Sequence, residues 1–239
     1  MRTFTPLLVL ALTVCASVAE ATNVTVRFTT VLGNYDVELC SEISDACPGV
    51  APNTVANFLH YVDDNVYPAT MFIHRRGAGG PSPLVIQGGG YWIDPTPPPS
   101  TEVVPAFSPI ALELGAGLSN LRGTIAMART AAADSATSQW FINLVDNVNL
   151  DTAGGGYAVF GKVVAGLDVV DAIGALTIWN AGGVFTELPL LDTFPPDSPT
   201  VIPYLVYVSD ISRVPESGAL ASAATAALAL AALARRRRA

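Results

Sequence analysis

The chain has 239 residues, enough for one domain with tails or for two small domains. It is apolar-rich (51%) yet carries 20 Gly and 18 Pro, which suits a turn-heavy β protein and argues against a helical bundle. The net charge is −8; with residues 1–21 and 214–239 set aside, 7 basic residues face 18 acidic ones, about −11, which excludes nucleic acid as a partner because its phosphates would be repelled.

In chain order, residues 1–21 read as a secretory signal: Arg2 supplies the positive start, Pro6 to Val14 the apolar core, and Ala19-Glu20-Ala21 the small residues for cleavage after Ala21, with Ala19 as second site. Cys15 raises a lipoprotein reading, which the bulky Val14 before it fits poorly. Alternation over Val24 to Leu39 predicts a β-hairpin with Gly33-Asn34 at its turn. Cys40 and Cys47 flank a polar loop; in an oxidising compartment they are expected to form a disulfide, and a metal site is the second reading, with no His or further Cys pair nearby. Ala51-Pro52-Asn53-Thr54 opens an amphipathic helix with Val55, Phe58, Leu59 and Val62 on one face. Met71 to Arg75 and Leu84 to Gln87 are short strands, and a Pro-rich loop runs from Asp94 to Pro109. Strands are predicted over Gly123–Ala128, Gln139–Val145 and Tyr157–Val164, a second helix over Leu167–Leu176, and a closing strand over Val201–Ile211. Many short strands with two helices suggest a mainly β fold, a closed antiparallel barrel capped at its ends.

After residues 22–213, the expected domain, comes a tail over 214–239: Val214-Pro215-Glu216, an Ala/Leu-rich run from Gly218 to Ala234, then Arg235 to Arg238. A helix of ~17 residues spans ~25 Å, slightly short of a ~30 Å hydrocarbon core, and the Arg cluster would stay cytoplasmic. This layout resembles the PEP-CTERM type of bacterial sorting tail; a plain membrane anchor is the alternative. Both put the domain outside the cytoplasm, in the periplasm or cell envelope.

Five runs then stand out: Phe72-Ile73-His74-Arg75, Ile86-Gln87-Gly88-Gly89-Gly90, Arg122 to Arg129, Ser138-Gln139-Trp140-Phe141-Ile142-Asn143, and Tyr157 to Val163. In order and spacing they resemble the cyclophilin family of peptidyl-prolyl cis/trans isomerases, especially its exported bacterial branch, over Val24 to about Ser212. The resemblance implies an eight-stranded closed barrel, no cofactor, no metal, a monomer, and proline-containing exported polypeptides as partners.

The chemistry asked of such a site is modest. Amide resonance gives the X-Pro bond a barrier of ~18–20 kcal/mol, while the isomers differ by only ~0.5–1 kcal/mol. An apolar notch for the ring, contacts for the flanking chain and a cation aimed at the prolyl nitrogen would favour the twisted amide selectively. By resemblance Arg75 is that cation, with Arg76 as competing neighbour and His74 as a structural residue. The resemblance also implies a proline pocket of Phe141, Leu150, Val85 and Leu84, amide contacts from Gln87 and Gln139, a groove lined by Ala128 and Arg129, and Tyr157 at the mouth. The chain departs from the family pattern in the longer loop Arg76 to Pro83, in Leu84 where an aromatic is usual, in Asn149 where a Trp or Phe is usual, which should weaken cyclosporin binding, and in Gly154 to Gly156, which should soften the loop before Tyr157. These departures motivate an alternative: a tethered proline-motif binding module with little turnover. A hydrolase is excluded because Ser135 and Ser138 have no His partner in sequence.

Overall fold

The computed structural model describes residues 23–77, 84–195 and 197–215; the leader, most of the loop from Arg76 to Pro83 and most of the tail lie outside them. Alternating side chains build the first hairpin, β1 (Thr25–Thr30) and β2 (Gly33–Leu39), with Val26, Phe28, Tyr35, Val37 and Leu39 all turned inward. Its turn is at Val31-Leu32 rather than at Gly33-Asn34. Thr30 decides this: its hydroxyl donates to Gly33 O (2.8 Å) and accepts from Leu32 N–H, so the turn closes two residues early and Gly33 pairs with Thr30.

The expected Cys40–Cys47 disulfide is formed, and its loop is braced by Asn23 and Ser44, which both donate to Glu38 Oε1. Helix α1 (Pro52–Asp63) follows, with Pro52 at its first turn and Val55, Phe58, Tyr61 and Val62 buried. The chain continues through β3 (Met71–Phe72), β4 (Arg75–Arg76), β5 (Val85–Gly88), β6 (Tyr91–Asp94) and β7 (Ser100–Val103). Next come β8 (Thr124–Met127), β9 (Trp140–Asn143), β10 (Val159–Ala165), α2 (Leu167–Ala175), the short pair β11 (Ile178–Trp179) and β12 (Leu188–Pro189), and β13 (Tyr207–Arg213). The Pro-rich stretch is thus not all loop: Ser100–Val103 pairs with β6 although all four residues are exposed. The last strand begins at Tyr207, because Ile202–Tyr204 makes a 3-10 turn first.

The antiparallel sheet runs β4-β5-β9-β8-β10-β2-β1-β13-β3-β6-β7 and is strongly curled, a half-barrel. It counts eleven strands among the described residues, against the eight expected. The expected single strand from Met71 to Arg75 breaks at Ile73-His74, and that segment bonds to both sides: Ile73 N–H to Val206 O and His74 N–H to Gln87 O. The main core fills the curl, with Phe28 stacked on Tyr35 (4.7 Å), Trp140 edge-on to Phe28 (5.1 Å) and α1 laid across by Phe58. A small satellite cluster of Val85, Ala126, Phe141, Leu150 and Val159 sits apart from it.

Candidate active site

Period-two alternation separates the two cores. In β9, Trp140 and Ile142 enter the main core, while Phe141 faces the other way and stays buried (4% exposed) with Val85 and Leu150. Above this apolar patch lies a cavity of about 220 Å³, bordered by Arg75, Val85, Gln87, Ala128, Arg129, Phe141, Leu150 and Tyr157. That is below the ~300–1,000 Å³ of typical small-molecule sites and suits one side chain of a polypeptide lying over the surface. A second hollow of about 180 Å³ adjoins it, sharing Gln87, Ala128 and Arg129 and adding Thr130, Ser135, Thr137 and Gln139. A groove therefore runs from the notch past the segment that follows β8, Ala128 to Thr130.

Arg75 and Arg76 are separated by their strand. Both residues of β4 pair with β5, Arg75 opposite Gln87 and Arg76 opposite Ile86. Arg75 borders the cavity with its side chain one-third exposed, and its Nε donates to Glu187 Oε2 at 2.7 Å. Arg76 Nε instead donates to Gly174 O at the end of α2 (2.7 Å), away from the notch. His74 is buried (4% exposed), edge-on to Tyr91. Burial, assisted by the Arg75 charge, pushes its pKa down to about 3, so the ring is neutral near pH 7.

Gln87 Nε2 donates to Gln139 Oε1 (2.9 Å), tying together the two amides that flank the groove. The Ala128 N–H is committed to Gln139 O. Arg129 acts as a clamp: Nε donates to Gly156 O, Nη2 to Gly154 O and Gly156 O, and Nη1 to Thr130 O. Its guanidinium lies 4.6 Å over the Tyr157 ring, and Tyr157 meets Phe141 edge-on at 5.7 Å. The glycine loop expected to be soft is thus held at two of its carbonyls by one side chain. Leu84 departs from expectation. It packs against the main core, its carbonyl accepts from Leu144 N–H and Asn147 Nδ2, and it is not among the residues bordering the cavity.

Two features had no signal in the sequence. Glu187 lies 112 residues from Arg75 and outside every motif run. The second is a polar chain under the notch: Asn147 donates to Asn143, Asn143 to Asn120, and Asn120 to Asp151 Oδ1 (2.8 Å) through its side chain and through its N–H. Ser119 also donates to Asp151, and Asn120 reaches Tyr157 O (3.3 Å). Burial raises the Asp151 pKa, but the bonds from Ser119 and Asn120 outweigh it and leave the carboxyl below its ordinary value. This chain fixes the segment from Leu150 to Tyr157, and hence two walls of the cavity.

Comparison with known proteins follows the same outline. The model of the cyclophilin type peptidyl-prolyl cis-trans isomerase/CLD family matches residues 25–190. Peptidyl-prolyl cis-trans isomerase A of Dickeya dadantii is 41% identical over 177 residues, covering 73% of this chain and 84% of that protein. Peptidyl-prolyl cis-trans isomerase B of Escherichia coli is 44% identical over 137 residues, 55% of this chain and 77% of the relative. A crystal structure of a Cryptosporidium parvum cyclophilin type isomerase, determined in the presence of the dipeptide ala-pro, superimposes with a TM-score of 0.53 at 22% identity, covering 80% of this chain and 99% of that one.

Proposed function

This chain belongs to the cyclophilin type peptidyl-prolyl cis-trans isomerase family and is such an isomerase, and from that premise we propose that the notch over Phe141 is where it turns X-Pro bonds. The observation that carries the reading is the meeting of one guanidinium, Arg75, with an apolar recess of Val85, Phe141 and Leu150 in a single cavity. The proline ring enters the recess. The flanking chain lies along the groove past Gln87, Gln139 and Ala128, and Tyr157 closes the mouth. Arg75 stabilises the prolyl nitrogen when its lone pair leaves resonance, an interaction absent from the planar ground states and so directed at the transition state. No bond is made or broken and no proton is transferred, which fits a site whose histidine is neutral and buried.

The test is an isomerase assay on a short X-Pro peptide, by protease coupling or NMR exchange. Arg75→Ala should lower the catalysed rate by ~10²-fold or more, as loss of an oxyanion-type donor does; a wild-type rate no higher than that of the variant overturns the assignment. The pairing of Arg75 with Glu187 favours a second reading, a proline-motif binding module, since a neutralised cation polarises less. Peptide affinity without exchange broadening between cis and trans signals would select it.

Three further parts belong to this proposal. The curl closes into a full barrel, with Met71 to Gly77 serving both ends through Ile73 and His74. The clients are exported polypeptides, and Asn149 weakens cyclosporin binding. Residues 1–21 are a cleaved leader and 214–239 a sorting or anchoring tail; the disulfide is consistent with an oxidising compartment. Mass spectrometry of the mature protein should find an N-terminus at Thr22; retention of residues 1–21 overturns the export reading.

A further inference from the structure

We propose that Glu187 is a positioning residue for the isomerisation, acting through Arg75 and not on the substrate; the inference rests on the reading of Arg75 given above. Glu187 does not border the cavity, yet its Oε2 accepts from Arg75 Nε at 2.7 Å, and its side chain is only 19% exposed. Its placement is fixed twice over. The Glu187 carbonyl accepts from the Arg76 N–H at 2.8 Å, which binds its backbone to β4 next to the residue it grips. The next residue, Leu188, is buried and paired with Trp179 across β11 and β12, and Leu190 bridges Leu205. The carboxylate is therefore presented from a braced segment.

The guanidinium is planar, with five N–H donors in a fixed fork. Gripping it at Nε, the root of the fork, sets the plane and the direction in which the fork lies. A long Arg side chain has many rotamers; an anchored one has lost that freedom before substrate arrives, so the loss is not charged to the transition state. The carboxylate also damps the cation, and the two effects oppose. The geometry favours positioning, because the carboxylate stands outside the notch on a segment tied to β4. The side chain's reach therefore matters more than its charge.

The experiment compares two variants in the full chain. Glu187→Gln keeps the length and an oxygen that accepts from Nε–H, while removing the charge. Glu187→Asp keeps the charge and shortens the reach. NMR line-shape analysis on an X-Pro peptide gives the exchange rate on the enzyme and the affinity separately. We expect Glu187→Gln to stay within about threefold of wild type, and Glu187→Asp to lose about tenfold or more in exchange rate with affinity changed less than about twofold, inside the ~10²-fold that a 1 Å misplacement costs. The double variant Arg75→Ala/Glu187→Asp should be no slower than Arg75→Ala alone, since both act at one point. Wild-type behaviour of Glu187→Asp, a larger loss in Glu187→Gln than in Glu187→Asp, or a further loss in the double variant would each overturn the inference. Failure of Arg75→Ala to slow the wild type would instead strike the reading beneath it.

Discussion

His74 precedes the residue assigned to catalysis, yet its chemistry points inward. It is buried and its pKa is driven down to about 3, first by burial and then by the Arg75 charge. With ~6.5 in the unfolded chain, the unfolded state binds more protons across that window, so stability rises with pH there. The domain should lose stability as pH falls from about 6.5 toward 3, while isomerase activity near neutrality should show no histidine titration. Urea unfolding at about pH 4 and about pH 7 checks this: the pH-dependent loss should shrink in His74→Leu, and an unchanged loss refutes it. At the same scale, Leu84→Ala should cost roughly 1–3 kcal/mol through the main core and leave peptide affinity within about twofold; a large fall in affinity would put Leu84 back in the pocket. Neither the place of Leu84 nor the role of Glu187 was legible beforehand. Strand register decided the first and a contact between remote segments the second.

At the scale of elements, two local constraints stand out, one on the strands that carry the notch and one on the loop after β2. Gly89, after β5, has φ +79°, and a Cβ there would stand 2.4 Å from Ser138 O. Gly89→Ala should therefore destabilise by roughly 1–3 kcal/mol and lower peptide affinity, because β5 and β9 can no longer close on each other; calorimetry and a peptide titration read both. The disulfide closes a short loop, with a sequence separation of 7. The paired change Cys40→Ser and Cys47→Ser should cost roughly 2–3 kcal/mol and leave the exchange rate on the enzyme near wild type; an equal loss of catalysis would mean that this loop reaches the site. The Gly33-Asn34 turn shows why elements read better than their ends. Alternation fixes the hairpin, but one threonine side chain moves the reversal by two residues.

At the scale of the molecule, the first and last described strands are neighbours. β13 sits between β1 and β3, and Arg213 pairs bidentately with Asp63 of α1. The family match stops at residue 190, before this strand. A chain ending at Tyr204 should give no cooperative thermal unfolding, since a central row of hydrogen bonds would be left unpaired; a normal melt would show that β13 is dispensable.

By itself the sequence determined the mainly β character, both helices, the disulfide pair and the runs that supply Arg75, Gln87, Gln139, Phe141 and Tyr157, because period, turn residues and short motifs are local properties. Tertiary structure alone decided that Arg76 turns to α2 while Arg75 meets the notch, that Leu84 joins the core, that Arg129 pins the glycine loop, and that Glu187 grips Arg75 across 112 residues. Those outcomes depend on which faces and edges meet when the sheet curls, and a curl is a property of all its strands together.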